Sequence, residues 1–83
     1  MTYGITWEPL AVDLATRFLA DDPHGLRTLI DAIDALAGDA HPEKAFPFGT
    51  TNLLRLRIGR YRVVYEVREA ERMIVVMHLG RST

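Results

Sequence analysis

The sequence predicts an α+β fold in which a helical hairpin packs on one face of an antiparallel sheet. Apolar residues recur at helical spacing through residues 10–36 and alternate at strand spacing through residues 53–79. Helical and strand segments do not interleave, which favours helices segregated to one side of a sheet. The expected order of elements is β-α-α-β-β-β. At 83 residues, the chain is expected to form one domain over residues 1–83.

The first half of the chain predicts one short strand and two helices. Residues 3–7 alternate and favour a strand, and Pro9 suits the first turn of the helix that follows. That helix should end near residues 21–23, because the residue before a proline avoids helical dihedral angles. A second helix should run from Pro23 to a C-cap at Gly38. Two amphipathic helices joined by so short a turn are expected to lie antiparallel.

The second half predicts a loop and a three-stranded meander. Residues 39–52 contain two prolines and a glycine and read as a loop, with Phe46 and Phe48 expected to hold it against the core. Gly59 marks a tight turn, and residues 68–72 a charged one. The three strands are expected over residues 53–58, 60–67 and 73–79.

Composition narrows the possible functions. The chain has no cysteine, which excludes disulfides, thiolate nucleophiles and zinc–thiolate sites. Its N-terminus lacks the pattern of a secretory signal, and no apolar run approaches the length of a membrane helix. We therefore expect a cytoplasmic protein without a membrane partner. The three histidines are too dispersed to suggest a metal site, and no cofactor is expected.

The net charge of −1 hides an uneven distribution of charged residues. Residues 1–44 carry three basic and eight acidic residues, net −5. Residues 45–83 carry seven arginines and three acidic residues, net +4. A chain divided in this way can present a basic surface to a polyanion although its isoelectric point is acidic.

Arginines collect on one face of the predicted sheet. Strand alternation, assumed to be unbroken, separates them from the apolar residues that face the helices. The basic residues of this face are Arg55, Arg57, Arg60, Arg62 and His78. The face is either a solvated surface, with its charges paired, or a phosphate-binding surface. Glu66 is the single acid beside four arginines, which is too few for pairing, and like charges opposite each other on a sheet cost stability. His78 either bonds to the backbone or takes part in chemistry.

These features together resemble the RelE/ParE toxin superfamily of bacterial type II toxin–antitoxin systems. The resemblance runs from ITWEPLA at residues 5–11, through the helix pair, to LLRLRIGRYRVVYEV at residues 53–67 and IVVMHLGR at residues 74–81. Its sharpest part is the Gly-x-Tyr-Arg-Val-x-Tyr-x-Val pattern at residues 59–67. The sequence is most similar to RelE-like members, which implies two helices packed on a curved antiparallel sheet.

The resemblance also implies an activity. RelE-like proteins cut mRNA in the ribosomal A site without a metal, by attack of the ribose 2′-OH on the adjacent phosphate. Matching positions assign catalytic roles to Arg55, Arg57, Arg62 and Arg81. Arg81 matches only with a shift of one residue, and Arg60 and His78 are expected to bind substrate. The implied partners are a cognate antitoxin, the ribosome and its mRNA, with operator DNA contacted only through the toxin–antitoxin complex.

Two departures from the RelE pattern leave other functions open. In RelE-like proteins a tyrosine of a short C-terminal segment stacks on the substrate base, and this sequence, which ends at Thr83, has no counterpart to it. Arginine also replaces lysine at positions 55 and 57, and arginine is a poor general base because it stays protonated. The alternatives are an inert toxin-fold module that binds antitoxin and co-represses its operon, or a ParE-like inhibitor of DNA gyrase.

Overall fold

The computed structural model describes residues 2–82, which form two helices and five strands. The elements, in chain order, are β1 (Gly4–Trp7), α1 (Pro9–Asp21), α2 (Pro23–Ala35), β2 (Phe46–Phe48), β3 (Thr50–Ile58), β4 (Tyr61–Arg68) and β5 (Met73–Arg81). The helical hairpin covers one face of a single sheet whose strand order is β1-β5-β4-β3-β2. The predicted α+β class is therefore confirmed, and β4 is the central strand.

The two helices begin and end largely as their sequence predicts. Each has 13 residues and begins with a proline. Between them, Asp22 is the N-cap of α2, where its carboxylate accepts a hydrogen bond from the Gly25 amide at 3.0 Å. The second helix ends at Ala35 rather than near Gly38, because residues 36–38 form a turn. Within residues 2–82, neither helix is long and apolar enough to cross a bilayer.

The sheet is mixed, not fully antiparallel as expected. Three of its four strand pairings are antiparallel, and β1 lies parallel to β5, with Ile5 opposite Ile74 and Trp7 opposite Val76. Almost the whole chain separates β1 from β5, so no hairpin turn constrains their direction. The three expected meander strands pair as predicted, and Gly59 adopts a φ of 60° in the turn between β3 and β4.

The segment predicted as a loop contains an additional edge strand. Residues 46–48 pair with β3, and Pro47 is tolerated there because an edge strand leaves one side of the backbone unpaired. Phe46 and Phe48 are 63% and 43% exposed, so the expectation that they hold this segment against the core is wrong. The Tyr65 hydroxyl anchors the preceding turn instead, donating a hydrogen bond to the Ala40 carbonyl at 2.9 Å.

The core lies between the two helices and the meander, with α2 and Ala11 of α1 contributing fully buried residues. Leu26, Leu29 and Ile33 of α2 are fully buried, as the predicted helical stripe requires. They pack against apolar side chains of the sheet, including Tyr61 and Tyr65, which were expected in the core. The remaining buried sheet residues of this cluster are Leu54, Leu56, Val63, Val67, Ile74, Val76 and Leu79.

A bulge interrupts the alternation of β5. Val64 lies opposite His78, and the next residue of β4, Tyr65, lies opposite Val76, which leaves Met77 without a partner. The helices therefore contact Val76 on one side of the bulge and Leu79 on the other. The predicted unbroken alternation fails here, yet His78 keeps the face that it was expected to occupy.

Candidate functional site

Four basic side chains line one cleft on the open face of the sheet, the face turned away from the helices. Arg55 and Arg57 extend from β3, Arg62 extends from β4, and Lys44 precedes β2. Phe46 completes the wall of the cleft, whose volume is about 240 Å³. We call this site the arginine cleft. It contains three of the four arginines that the sequence placed on this face.

Strand register brings these cations together. Arg57 lies directly opposite Arg62 in the β3–β4 ladder, and Arg55 lies between Val64 of β4 and Phe46 of β2. Side chains opposite each other in a ladder are close neighbours, so the like charges of Arg57 and Arg62 are held at short range at a cost in stability. Arg57 Nε also donates a hydrogen bond to the Gly59 carbonyl at 3.2 Å, which directs its guanidinium toward the turn.

The arginines of the cleft have no acidic partner within residues 2–82. The ion pairs of this part of the chain involve other basic residues, and none includes Arg55, Arg57 or Arg62. Glu66 shares the open face, but it accepts a hydrogen bond from Arg68 Nε at 2.6 Å. Three guanidinium groups thus remain available to an anion. A guanidinium group can donate two parallel hydrogen bonds to two oxygens of one phosphate.

The side chain of Arg62 lies over a glycine of the neighbouring strand. Its ladder partner on β5 is Gly80, and a Cβ atom at that position would come within 3.0 Å of Arg62 Nη2 and 3.4 Å of Nε. The guanidinium therefore lies across the bare backbone of β5, and the residue is half-buried. Glycine at position 80 provides the space that holds Arg62 at the centre of the sheet.

Arg60 and Arg81 lie outside the arginine cleft. Arg60 belongs to the β3–β4 turn, and its Nη2 donates to Asp22 Oδ2 at 3.2 Å. Arg81 Nη2 donates to Asp21 Oδ2 at 3.1 Å, and its guanidinium lies 4.6 Å from the centroid of the Phe18 ring. Both contacts are on the helix side of the sheet. The expected position of Arg60 on the arginine face is therefore wrong, and the structure does not bring Arg81 to the cleft.

Hydrogen bonds at the α1–α2 junction favour the charged forms of Asp22, Arg60 and Arg81. The Tyr61 hydroxyl donates to Asp22 Oδ2 at 2.7 Å, and this bond, with the Gly25 amide and Arg60, lowers the pKa of Asp22 below its ordinary value. Hydrogen bonding to Asp22 likewise raises the pKa of Arg60, and hydrogen bonding to Asp21 raises that of Arg81. These arginines neutralise the α1–α2 junction and hold the meander against it.

His78 lies on the open face, where it is exposed and opposite Val64. It is two residues from Gly80, the position over which the Arg62 guanidinium lies. Its imidazole makes no side-chain hydrogen bond within residues 2–82, so the backbone bond that a structural histidine would form is not observed. In the same part of the chain, no group of three or more His, Cys, Asp or Glu side chains is arranged to bind a metal ion.

Sequence reasoning missed two residues of the cleft, Lys44 and Phe46. Both were assigned to a loop, although Lys-Ala-Phe-Pro-Phe at residues 44–48 is an unusually apolar and aromatic stretch for a loop. Phe48, the other aromatic residue of β2, lies under Arg55, whose Cζ is 5.5 Å from the ring centroid. The short edge strand thus adds two aromatic rings to the surroundings of the site, and the lysine that precedes the strand adds a cation.

Solved structures with the same architecture identify the fold of this chain. The chain is similar to the toxin–antitoxin complex RelBE2 from Mycobacterium tuberculosis, at 15% identity over 99% of this chain and 100% of that chain, with a TM-score of 0.83. It is similar to the RelE–RelB complex from Pyrococcus horikoshii OT3, at 24% identity, 98% and 96% coverage and a TM-score of 0.79. It is also similar to the isolated Escherichia coli RelE toxin, at 14% identity over 98% of this chain and 85% of that chain, with a TM-score of 0.81. The fold is therefore that of RelE-like toxins.

The family is established by the sequence itself. The model for the ParE toxin of type II toxin–antitoxin systems matches residues 10–83. The chain belongs to this family, and the predicted membership of the RelE/ParE superfamily is confirmed. No curated protein matches the sequence significantly.

Proposed function

We propose that this toxin cleaves mRNA on the ribosome in a metal-independent reaction and that a cognate antitoxin neutralises it. The observation that carries the proposal is the arginine cleft, in which Arg55, Arg57 and Arg62 have no acidic partner within residues 2–82. Single-stranded RNA presents successive phosphates to a basic groove, and each phosphate can accept a forked pair of hydrogen bonds from arginine. The cleft suits that ligand in charge and geometry.

In the proposed reaction the ribose 2′ oxygen bonds to the adjacent phosphorus and the bond from phosphorus to O5′ breaks. The 2′-hydroxyl loses its proton and O5′ gains one, which leaves a 2′,3′-cyclic phosphate and a 5′-hydroxyl. Negative charge grows on the non-bridging oxygens as the new bond forms. Arg62, held at the centre of the cleft over Gly80, is positioned to stabilise that charge, while Arg55 and Arg57 bind the flanking backbone.

Proton transfer requires a group other than arginine, because guanidinium stays protonated. The open face offers His78 and Glu66. Glu66 is engaged by Arg68 at 2.6 Å, whereas His78 is exposed and makes no side-chain hydrogen bond within residues 2–82. Imidazole can both accept and donate a proton near neutral pH, so His78 is the group that we assign to this step.

An antitoxin segment is expected to cover the arginine cleft. Several structures with this fold are complexes of RelE with the antitoxin RelB, including the intact complex from E. coli. A segment that folds on binding can neutralise a small domain by wrapping it, and here the exposed cations favour an acidic or amphipathic partner. Residues 1–44, at net −5, offer such a segment little electrostatic attraction.

Induced expression in a bacterial host tests the proposal directly. The wild-type chain is expected to arrest growth, with primer extension revealing new 5′ ends within translated mRNA. Arg62→Ala should remove both effects. Arg17→Ala is the matched control, because Arg17 is an exposed arginine on α1, and it should behave as the wild type. Growth arrest that survives Arg62→Ala would place the activity outside the cleft.

A second candidate function is inhibition of DNA gyrase, which the match to the ParE toxin model favours. It predicts growth arrest without mRNA cleavage, and loss of supercoiling activity when purified gyrase is mixed with the chain. An inert module that only binds its antitoxin would produce neither growth arrest nor either biochemical effect. Primer extension and the gyrase assay, carried out on the same preparations, therefore separate the three functions.

A further inference from the structure

We propose that Phe46 forms a nucleobase-binding subsite at the margin of the arginine cleft, on which one base of a single-stranded RNA stacks. The inference rests on the proposed function and deepens it, because it adds base recognition to a site so far described by phosphate contacts alone. It starts from the exposure of Phe46, which is 63% and the highest among the large apolar side chains within residues 2–82. A phenyl ring left in water forgoes the favourable free energy of burial.

The backbone holds this ring at the wall of the cleft. Phe46 lies opposite Arg55 in the β2–β3 ladder and therefore shares the open face with it. Pro47, the next residue, lies opposite Leu54, and its ring fixes one backbone dihedral angle of the edge strand. The phenyl ring lines the same cavity as Arg57 and Arg62. The residue before a proline is itself restricted to extended conformations, so the backbone at Phe46 loses little freedom when a ligand stacks on the ring.

The two aromatic residues of β2 differ in whether a ring face is already occupied. Arg55 Cζ lies 5.5 Å from the centroid of the Phe48 ring, so Phe48 contacts a cation of the cleft and helps to orient it. Phe46 makes no aromatic pair and no cation–π contact within residues 2–82. Phe48 thus contacts another side chain of the protein, whereas the Phe46 ring is available to a ligand.

The surroundings of Phe46 favour a nucleotide over a purely apolar partner. A nucleotide carries a flat π-face and a phosphate. Within residues 2–82, the cleft offers a ring without a stacking partner beside Lys44 and three guanidinium groups without an acidic partner. Aromatic side chains in basic grooves are the usual platform for unstacked bases of single-stranded nucleic acid. The exposed aliphatic residues Leu10, Val12 and Leu19 lie on α1, outside this cleft. An apolar protein partner could dock on those residues without contacting the arginines.

Binding of two short probes separates base stacking from phosphate contacts. The probes are an eight-nucleotide RNA and an abasic oligomer with the same number of phosphates, both titrated against the purified full chain. Phe46→Ala should weaken binding of the RNA on the order of ten- to a hundredfold, the range for loss of one stacked base. Binding of the abasic oligomer and the salt dependence of both probes should not change. Phe46→Trp should retain affinity, and RNA should quench the fluorescence of the new indole.

Three further variants serve as controls. Phe46→Leu keeps an apolar side chain but no π-face, and it should bind RNA as weakly as Phe46→Ala. Leu10→Ala removes an exposed apolar residue of α1 and should leave both affinities unchanged. Arg57→Ala should weaken both probes and reduce the salt slope by about 0.7, the value for one phosphate contact to a single strand.

The outcomes distinguish failure of the subsite from failure of the proposed function. If the wild type binds neither probe, the cleft does not bind RNA and both proposals fall. If the wild type binds both probes and Phe46→Ala weakens neither, or weakens both equally, only the subsite is overturned. Wild-type RNA affinity in Phe46→Leu would also overturn it, because an apolar contact would then suffice.

Discussion

Arginines on the two sides of the sheet have opposite surroundings. On the open face, Arg55, Arg57 and Arg62 crowd one cleft without an acidic partner in residues 2–82. On the helix side, Arg60 and Arg81 each donate to a carboxylate of the α1–α2 junction, at 3.2 and 3.1 Å. All five belong to the same meander. Their surroundings, not their residue type, separate a ligand-binding group from a structural one.

The comparison explains how a small domain can tolerate repulsion at its binding site. Arg57 and Arg62 are held opposite each other by the ladder, which opposes folding. On the opposite face of the same end of the sheet, the hydroxyl of Tyr61 and the guanidinium of Arg60 converge on Asp22 and hold the meander to the helices. The molecule therefore separates its repulsive and attractive contacts in space.

The largest expected effect follows from Arg62→Lys. Lysine keeps the positive charge but loses the planar fork, so cleavage of ribosome-bound mRNA under single-turnover conditions should slow on the order of a hundredfold, as for loss of one oxyanion donor. RNA binding should change less, because an ammonium group still meets phosphate as a point charge. Arg81→Lys is the matched variant on the helix side, and it should cleave at close to the wild-type rate. Equal losses in the two variants would erase the distinction between the groups.

A smaller effect is expected from Gly80→Ala. The new methyl group would lie 3.0 Å from Arg62 Nη2, so the guanidinium has to move, while the end of a flexible side chain can do so without unfolding the protein. The cleavage rate should fall about tenfold, which corresponds to a loss of about 1.4 kcal/mol of transition-state stabilisation. The melting temperature should stay close to that of the wild type. In an Arg62→Ala background the same substitution should have no further effect, and an additive loss would show that Gly80 acts by another route.

Asp22→Asn should affect stability and leave the chemistry unchanged. Asparagine can still cap α2, so the variant removes mainly the negative charge that Tyr61 and Arg60 contact. Because the pKa of Asp22 is lowered in the folded chain, its carboxylate stabilises the fold above the ordinary aspartate pKa, and this contribution is lost as the pH falls through the folded value. The melting temperature of the variant should be lower than that of the wild type at pH 7, and the difference should shrink below about pH 4.

The control for this experiment is Asp13→Asn, since Asp13 is an exposed acid of α1 without an ion pair in residues 2–82. It should melt like the wild type at both pH values. A difference between wild type and Asp22→Asn that grows on acidification would mean that the Asp22 carboxylate destabilises the fold.

Strand alternation predicted the arginines of β3 and β4 because nothing interrupts those strands. Arg55, Arg57 and Arg62 lie between apolar neighbours that are buried or partly buried, so strand alternation alone places them on the open face. Arg60 lies in the two-residue turn, where strand alternation no longer determines which face a side chain occupies. The carboxylate of Asp22 attracts the Arg60 guanidinium to the helix side. The acidic pair Asp21-Asp22 was interpreted only as a helix end, although Asp22 is also the counter-charge for Arg60 of this turn, and Asp21 for Arg81 of β5.

The remaining differences have separate causes. The role of Arg81 came from a resemblance that matched only with a shift of one residue, although His78 and Arg81 are three apart and strand alternation places them on opposite faces. The bulge at Met77 depends on how β5 fits two neighbours at once, which no local pattern encodes. The edge strand at residues 46–48 is too short for a periodic signal, so Lys44 and Phe46 were missed as site residues.

The salt dependence of RNA binding tests the division between the two groups of arginines most directly. With Lys44 and three arginines contacting phosphates, a plot of log affinity against log salt concentration should have a slope of about −3 for a single strand. The Arg55→Ala/Arg57→Ala double variant should reduce the magnitude of this slope by about 1.4. Its melting temperature should be no lower than that of the wild type, because the repulsion between Arg57 and Arg62 is also removed. The Arg60→Ala/Arg81→Ala double variant should keep the wild-type slope and melt at a lower temperature. An equal reduction of the slope in both double variants would contradict this account, because all the arginines would then contact the RNA.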